Sequence, residues 1–284
     1  MSDDNPYDSL GDDGDDHRWA YGTGFTDPLD GVDTSIPAGI DPQALATYCL
    51  MLGDDALIYS HRLQQWMTRM PELEEETALA NIALDLLGQA RMLLGRAARI
   101  ENTTEDTLAF FRVEHEYRNV RLVERLDEDF AELVARLFVF STWRLALFER
   151  LCTSRDPVLA AIAGKGVKEL TYHRDYAAQW VVRLGDGTDY SRAKMQTALG
   201  VVWPLVAELF RSDPVPQLAV TVDRAEFDVV IDTVLATATL ERPSEAPRAA
   251  VGGRTGRDGV HTEALGYVLA ELQSIARSYP DAEW

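Results

Sequence analysis

Four times between Asp41 and Leu184 the chain lays down an apolar stripe at 3.6-residue spacing, each roughly 25 residues long and bounded by start and stop signals. Nothing else in the sequence constrains the fold as much. A helix of that length can hide such a stripe only against partners of comparable length. Asp41–Pro42 supplies an N-cap and a proline at the first helical position, and Leu45, Cys49, Leu52, Ala56, Tyr59, Leu63 and Trp66 continue the stripe to about Arg69. After Pro71 a second helix runs from Leu73 to about Arg99, with Thr77, Ala80, Leu84, Leu87, Arg91 and Leu94 near its stripe. Asp129 opens a third, striped by Phe130, Leu133, Leu137, Arg144, Phe148 and Leu151. Asp156–Pro157 opens a fourth that ends near Leu184, before the turn "GDGT".

Shorter helices are expected from the "TTED" cap at 103–106 through "FFRVEHEYRN", and over 188–210, 222–240 and 262–278. No sustained alternation and no Asn-Gly hairpin signal a strand. The fold class is therefore all-α: a four-helix bundle with additional helices over 41–284. Residues 1–40 read as a separate, disordered acidic tail, in which Arg18 is the one strong base and Trp19, Tyr21 and Phe25 are the possible anchors. The segment 241–261 reads as a polar loop rich in Gly, Pro and Arg.

Composition excludes several function classes. A net charge of −20 argues against nucleic acid or an anionic membrane as partner. No stretch approaches the roughly 20 apolar residues of a spanning helix, and the N-terminus lacks the apolar core of a signal peptide; a cytoplasmic protein is expected. Cys49 and Cys152 both fall in apolar helical patterns and are expected to be buried, reduced thiols. Only Lys165, Lys168 and Lys194 among the 27 basic residues are not arginine. An acid-rich, lysine-poor surface suits a protein kept hydrated in concentrated salt, like those of halophiles.

Long antiparallel bundles can hold a di-metal centre built from one Glu on each of two helices and Glu-x-x-His on each of the other two. Carboxylates bridge the ions and each imidazole completes one of them. Each long helix here offers an acid at or near its inner face: Asp55, Asp85, Glu149 and Glu169, the last with His173 one turn on. The nitrogen donors fall short. His17, His61, His115, His173 and His261 are the only histidines, and the second long helix has none; Gly88 and Gln89 follow Asp85 where an imidazole belongs. Two of the acids are the shorter Asp, and His173 lies four residues after Glu169. These acids are expected to pair with Arg62, Arg91, Arg144 or Lys168 in a polar network, since buried charges persist only when paired. No catalytic residue or cofactor site is expected from this pattern, and a structural polar network is favoured over a bound metal. "GGRTGRDG" at 252–259 could meet a phosphate but follows no strand; packing on a partner chain is the expectation. Trp66, Phe148, Trp180 and Trp203 are expected in the core.

The blocks "LGDDALIYSHRLQQW" (52–66), "PELEEETALANIALDLLGQARMLL" (71–94), "KELTYHRDYAAQWVVRLGDGT" (168–188), "ALGVVWPLVAELF" (198–210) and "GRDGVHTEALGYVLAELQSIARSYPDAEW" (256–284) together resemble the C-subunit family of the ring-1,2-phenylacetyl-CoA epoxidases, multicomponent oxygenases of phenylacetate catabolism. The resemblance spans about 41–284 and leaves the leader outside. It implies a ferritin-like fold without a competent di-iron centre or metal site, in which Asp55, Asp85, Glu149, Glu169 and His173 are vestigial ligand-region positions, and a structural subunit of a hetero-oligomer. The implied partners are a catalytic A subunit that holds the di-iron centre and epoxidises the ring, a small B subunit, and a reductase. Two alternatives stand beside it: a ferritin-like di-iron oxygenase active in its own right, and a free-standing acidic binding protein.

Overall fold

The structure is a computed structural model that describes residues 29–70, 72–211, 220–244, 252–280 and 282. The acidic run at the N-terminus, His17, Arg18 and the anchors Trp19, Tyr21 and Phe25 lie outside the described residues, as does 245–251 of the polar loop. Four long helices form the body: α1 (Pro42–Gln64), α2 (Leu73–Glu101), α5 (Phe130–Leu151) and α6 (Pro157–Gly185). Smaller helices are α3 (Glu105–Phe110), α4 (Arg121–Glu124), α7 (Asp189–Val202), α8 (Arg224–Thr237) and α9 (Glu263–Ser278). Among the described residues there is no strand, and no helix is long and apolar enough to cross a membrane. The fold is ferritin-like and all-helical.

The starts follow from capping chemistry. Asp41 accepts the Gln43 and Ala44 N–H groups at 3.3 Å, and Asp156 accepts that of Leu159 at 2.9 Å, each ahead of a proline whose missing N–H costs nothing there. Asp129 caps α5 through the Glu132 N–H at 3.1 Å. At its far end α2 stops at Asn102, which takes the left-handed conformation (φ 55°) that ends a helix.

Layering decides where polar groups can sit. In α5, 18 of 22 residues are buried and in α1, 16 of 23, but α2 buries only 11 of 29 and α6 only 10 of 29. So α1 and α5 run through the middle, and α2 and α6 form an outer layer with one face open. The Tyr59 and Phe140 rings join α1 to α5 edge to face at 4.9 Å. At Gly166, α6 approaches α5 so closely that a Cβ would lie 2.6 Å from the Phe148 ring.

Several expectations change against this frame. The α2 stripe runs through Leu79, Ile82, Leu86, Ala90, Leu93 and Ala97, whereas Leu84 is 59% exposed. The helix is apolar on two adjacent rows, and only the row facing α1 and α6 is covered. Residues 29–40 are not a solvated tail: Leu29, Val32 and Ile36 pack on the core, and Arg96 Nη1 donates to the Thr34 carbonyl at 2.6 Å. The helix expected through "FFRVEHEYRN" stops at Phe110, because the buried Arg112 turns its guanidinium onto Asp54 and pulls the following chain across α1. Within 114–119, Glu114, His115 and Glu116 are solvated, but Tyr117 and Asn119 are buried. Cys152 is exposed, since it caps α5 where the helix leaves the core; Cys49 is buried as expected. Trp66, Phe148 and Trp203 are core residues, while Trp180 lies at the edge and donates to Glu75 at 2.9 Å.

His261 ties α9 to the body. Its Nδ1 lies 2.9 Å from Glu124 Oε2 and its Nε2 lies 3.1 Å from the Tyr117 carbonyl, with both side chains of the His–Glu pair fully buried. Both neighbours are acceptors, so the ring is held as the doubly protonated cation. Burial alone would lower its pKa, yet the Glu124 carboxylate and the Tyr117 carbonyl outweigh burial and hold it above the ordinary 6.5. A raised folded-state pKa stabilises fully below the unfolded value, and the contribution fades as pH rises through the folded one. His261→Gln should therefore cost about 1.5–3 kcal/mol near pH 6, and the gap to wild type, read from urea midpoints, should narrow as pH rises above the ordinary histidine range. A gap that widens over that range would show the ring to be neutral.

Candidate functional site

The block "LGDDALIY" places two acids side by side in an apolar helix. Consecutive residues point 100° apart, so Asp54 and Asp55 face different neighbours, and both are fully buried. Asp54 takes the fork of Arg112, with Nη1 at 2.9 Å from Oδ2, and the Arg118 N–H at 2.8 Å. Asp55 takes Arg257 Nη2 at 2.7 Å and Nη1 at 3.0 Å, together with the Val120 N–H at 2.8 Å. Burial raises the Asp55 carboxyl above its ordinary range even though Arg257 and the Val120 N–H pull the other way.

Arg257 comes from the "GGRTGRDG" motif, which was expected to meet a partner chain. It docks on its own bundle instead. Its Nη1 also donates to the Met51 and Arg118 carbonyls at 2.8 Å, and the Gly256 N–H donates to Glu208 at 2.9 Å. A side chain on Gly256 would run into the Asn119 carbonyl, so only glycine permits this approach.

At the centre of the bundle stands Arg144 of α5, fully buried. Its Nε donates to Gln89 Oε1 at 3.0 Å and its Nη2 to the Leu52 carbonyl at 3.2 Å. The Gln89 amide passes the interaction on, donating through Nε2 to Glu169 Oε2 at 2.9 Å, where Lys165 Nζ stands 3.4 Å from the other oxygen. Rings of Phe148 and Phe140 flank the guanidinium at 4.6 and 5.6 Å. Burial pushes the Arg144 pKa down to about 10 while Asp55 and Glu169 pull it up, so the group is charged at neutral pH. One turn along α6, His173 Nε2 meets Asp85 Oδ2 of α2 at 3.0 Å.

The five expected positions thus divide. Asp85 and His173 meet; Glu169 joins Gln89; Asp55 turns to Arg257; and Glu149 is exposed on the outer side of α5. Glu149 lies five residues after Arg144, so the helical turn that points Arg144 to the centre points Glu149 away from it. Of the bases expected to pair with these acids, Arg144 faces the centre and Arg62 donates to the Glu124 and Ala264 carbonyls at 2.9 Å. Arg91 reaches Glu105 on the outside, and Lys168 is exposed.

As arranged, these side chains do not fit a pair of iron ions. A guanidinium sits among the acids where a dication would need to be, and at about 4 Å a like charge repels by several kcal/mol in such surroundings. Gln89 presents its oxygen to Arg144 and its nitrogen to Glu169, leaving no anionic donor on α2 at that level. Among the described residues no group of three or more His, Cys, Asp and Glu side chains converges. Thiol chemistry finds no foothold in this centre either, since burial pushes the Cys49 thiol far up and Cys152 lies outside it. What the arrangement does chemically is hold charges in fixed pairs.

Asp54 and the Asp55–Arg257 pair were not among the positions expected from sequence, and Gln89 figured there only as the absence of a histidine. The adjacent aspartates inside an apolar run were the available signal. Their partners lie 58 and 202 residues away, beyond the reach of local spacing.

Residues 34–284 match the family described as phenylacetic acid catabolic protein. Among curated proteins, the C subunit of the 1,2-phenylacetyl-CoA epoxidase of Escherichia coli (strain K12) is 44% identical over 250 residues, covering 84% of this chain and 99% of that protein.

Removing one member of a buried pair leaves the other charge stranded, at a cost of about 3–5 kcal/mol. Arg257→Ala should destabilise the protein by that much in guanidinium unfolding, and Asp55→Asn placed on the same background should recover part of the loss. Equal stability of Arg257→Ala and wild type would show that Asp55 is satisfied without the loop.

Proposed function

We propose, for a chain that belongs to the phenylacetic acid catabolic protein family, the role of a supporting subunit of a cytoplasmic, multicomponent phenylacetyl-CoA epoxidase. The observation that carries this reading is Arg144. A bundle whose central charge is a buried guanidinium meets its acids without a metal, and its shape is fixed before any partner arrives. The di-iron centre and the ring epoxidation then belong to the A subunit, with a small B subunit and a reductase completing the assembly.

The outer layer also supports a partner-binding role. Leu84 on α2 and Tyr172 on α6 are 59% and 48% exposed, one residue from Asp85 and His173 respectively. Apolar side chains exposed on two adjacent long helices suit a helical neighbour. A pair of helices of this length can bury an interface on the order of 2,000 Å².

The test is to purify the chain alone and together with its iron-bearing partner, then measure iron content and phenylacetyl-CoA epoxidation in both. Iron and turnover only in the paired preparation are expected; near-stoichiometric iron with oxygen-dependent turnover in the isolated chain would replace this reading with a self-sufficient oxygenase. His173→Ala should lower the melting temperature or the yield of complex, and leave turnover per assembled complex within about twofold of wild type. Full assembly with turnover abolished would instead place His173 in the chemistry.

A further inference from the structure

One groove has a mainly basic charged lining on a strongly acidic chain. It holds about 440 Å³ between the C-terminal half of α2 and the N-terminal half of α6. Arg91, Arg96, Arg99 and Lys165 line it, and Glu105 is the one acid among its lining residues. Three of these bases have partners within the fold: Arg96 the buried Asp156 at 2.6 Å, Arg91 Glu105 at 2.9 Å, and Lys165 Glu169 at 3.4 Å. Arg99 is exposed with no ion pair among the described residues, and the Arg91 side chain is 70% exposed, so both remain open to an incoming anion. The floor is low because Gly88 and Gly95 carry no side chain there. A concave surface with surplus positive charge, on a chain of net charge −20, is a place for an anion.

The chain itself leads into this groove. Arg155 Nη2 donates to the Ala38 carbonyl at 2.8 Å and Arg96 Nη1 to that of Thr34 at 2.6 Å, so two arginines fasten the segment as it runs back toward residue 29. Leu29, the first described residue, lines the groove. Residues 1–28 come next, with eight aspartates against one arginine. Asp16 is thirteen residues from Leu29, a distance that extended chain spans up to about 45 Å, so the run of acids can reach every base in the groove.

We propose that the acidic leader, residues 1–28, occupies this basic groove of its own chain, its carboxylates set against Arg99, Arg91 and Lys165. Three observations converge on that occupant: opposite charge, a tether that ends at the groove, and a following segment, 29–40, already fastened toward it. The tether gives the leader an effective concentration of order millimolar, which favours it over a free anion of similar charge. It then acts as an internal competitor for any anionic group that approaches the α2–α6 face. The match to the family begins at residue 34, so the leader lies outside it, and the proposal does not rest on the epoxidase reading.

The three lysines make a direct test possible. Carbodiimide coupling joins a carboxylate to a lysine amine only when the two are in contact, and Lys165, Lys168 and Lys194 are the chain's only lysine targets. The full-length protein, mixed from ¹⁴N and ¹⁵N preparations, is coupled and its peptides identified by mass spectrometry. The Lys165–Glu169 pair serves as the internal control link. Leader aspartates should couple within one chain to Lys165 or Lys168, at least about fivefold more than to Lys194, and the yield relative to the control should fall severalfold in about 1 M salt. Arg99→Glu, an exposed change that leaves the fold intact, should lower it similarly. Leader links to Lys194 as frequent as those to Lys165, a control link without leader links, or yields indifferent to salt and to Arg99→Glu would each overturn the proposal. Links joining ¹⁴N to ¹⁵N chains would assign the groove to the leader of a second copy instead.

Discussion

A carboxylate taken out of water must find a cation or be protonated, and this protein answers that constraint with arginine at nearly every turn. Asp54 meets Arg112, Asp55 meets Arg257, Asp127 meets Arg136 and Asp156 meets Arg96, and each of these eight residues is buried or nearly so. The pairs do more than neutralise charge. Arg112 draws the chain after α3 across α1, Arg257 seats the C-terminal loop, and Arg96 fastens the segment before α1 while steadying the cap of α6. Buried ion pairs add little net stability compared with apolar packing, but a wrong register strands a charge, so they select one arrangement over its neighbours.

Arg144 belongs to the same scheme with a different consequence. Its partners are a glutamine and a backbone carbonyl, and its nearest acids are already engaged by Arg257, Gln89 and Lys165. The bundle therefore holds its positive charge covalently, as part of a side chain. Lysine could not replace it with the same effect, because a single ammonium lacks the planar fork that reaches Gln89 and Leu52 together. This supplies a structural reason for a composition in which arginine so outnumbers lysine, alongside whatever the solvent demands of the surface.

The layered architecture gives those pairs different surroundings. α1 and α5, covered on most sides, carry Asp54, Asp55, Arg136 and Arg144, all fully buried, while the Asp85 and Lys165 ends of the Asp85–His173 and Glu169–Lys165 contacts lie toward the open side of α2 and α6. The same open side bears the exposed Leu84 and Tyr172 and the basic groove. Polar fixation at the centre and an apolar and charged outer layer are thus two faces of the same pair of helices.

Sequence alone determined the four long helices, their caps and the all-helical class, because 3.6-residue periodicity and Asp-Pro starts are local properties that survive without knowledge of neighbours. It also located Asp85, Glu169 and His173 at the inner or near-inner face, and the shortage of imidazoles on α2. Only the tertiary structure decided which of the two apolar rows of α2 is buried, that Glu149 points outward, that "GGRTGRDG" folds back onto Asp55, and that Arg144 holds the centre. Those outcomes depend on contacts between residues 55 to 202 positions apart. Periodicity fixes which way a side chain leaves its own helix, but the partner waiting there is set by how the helices are brought together in space.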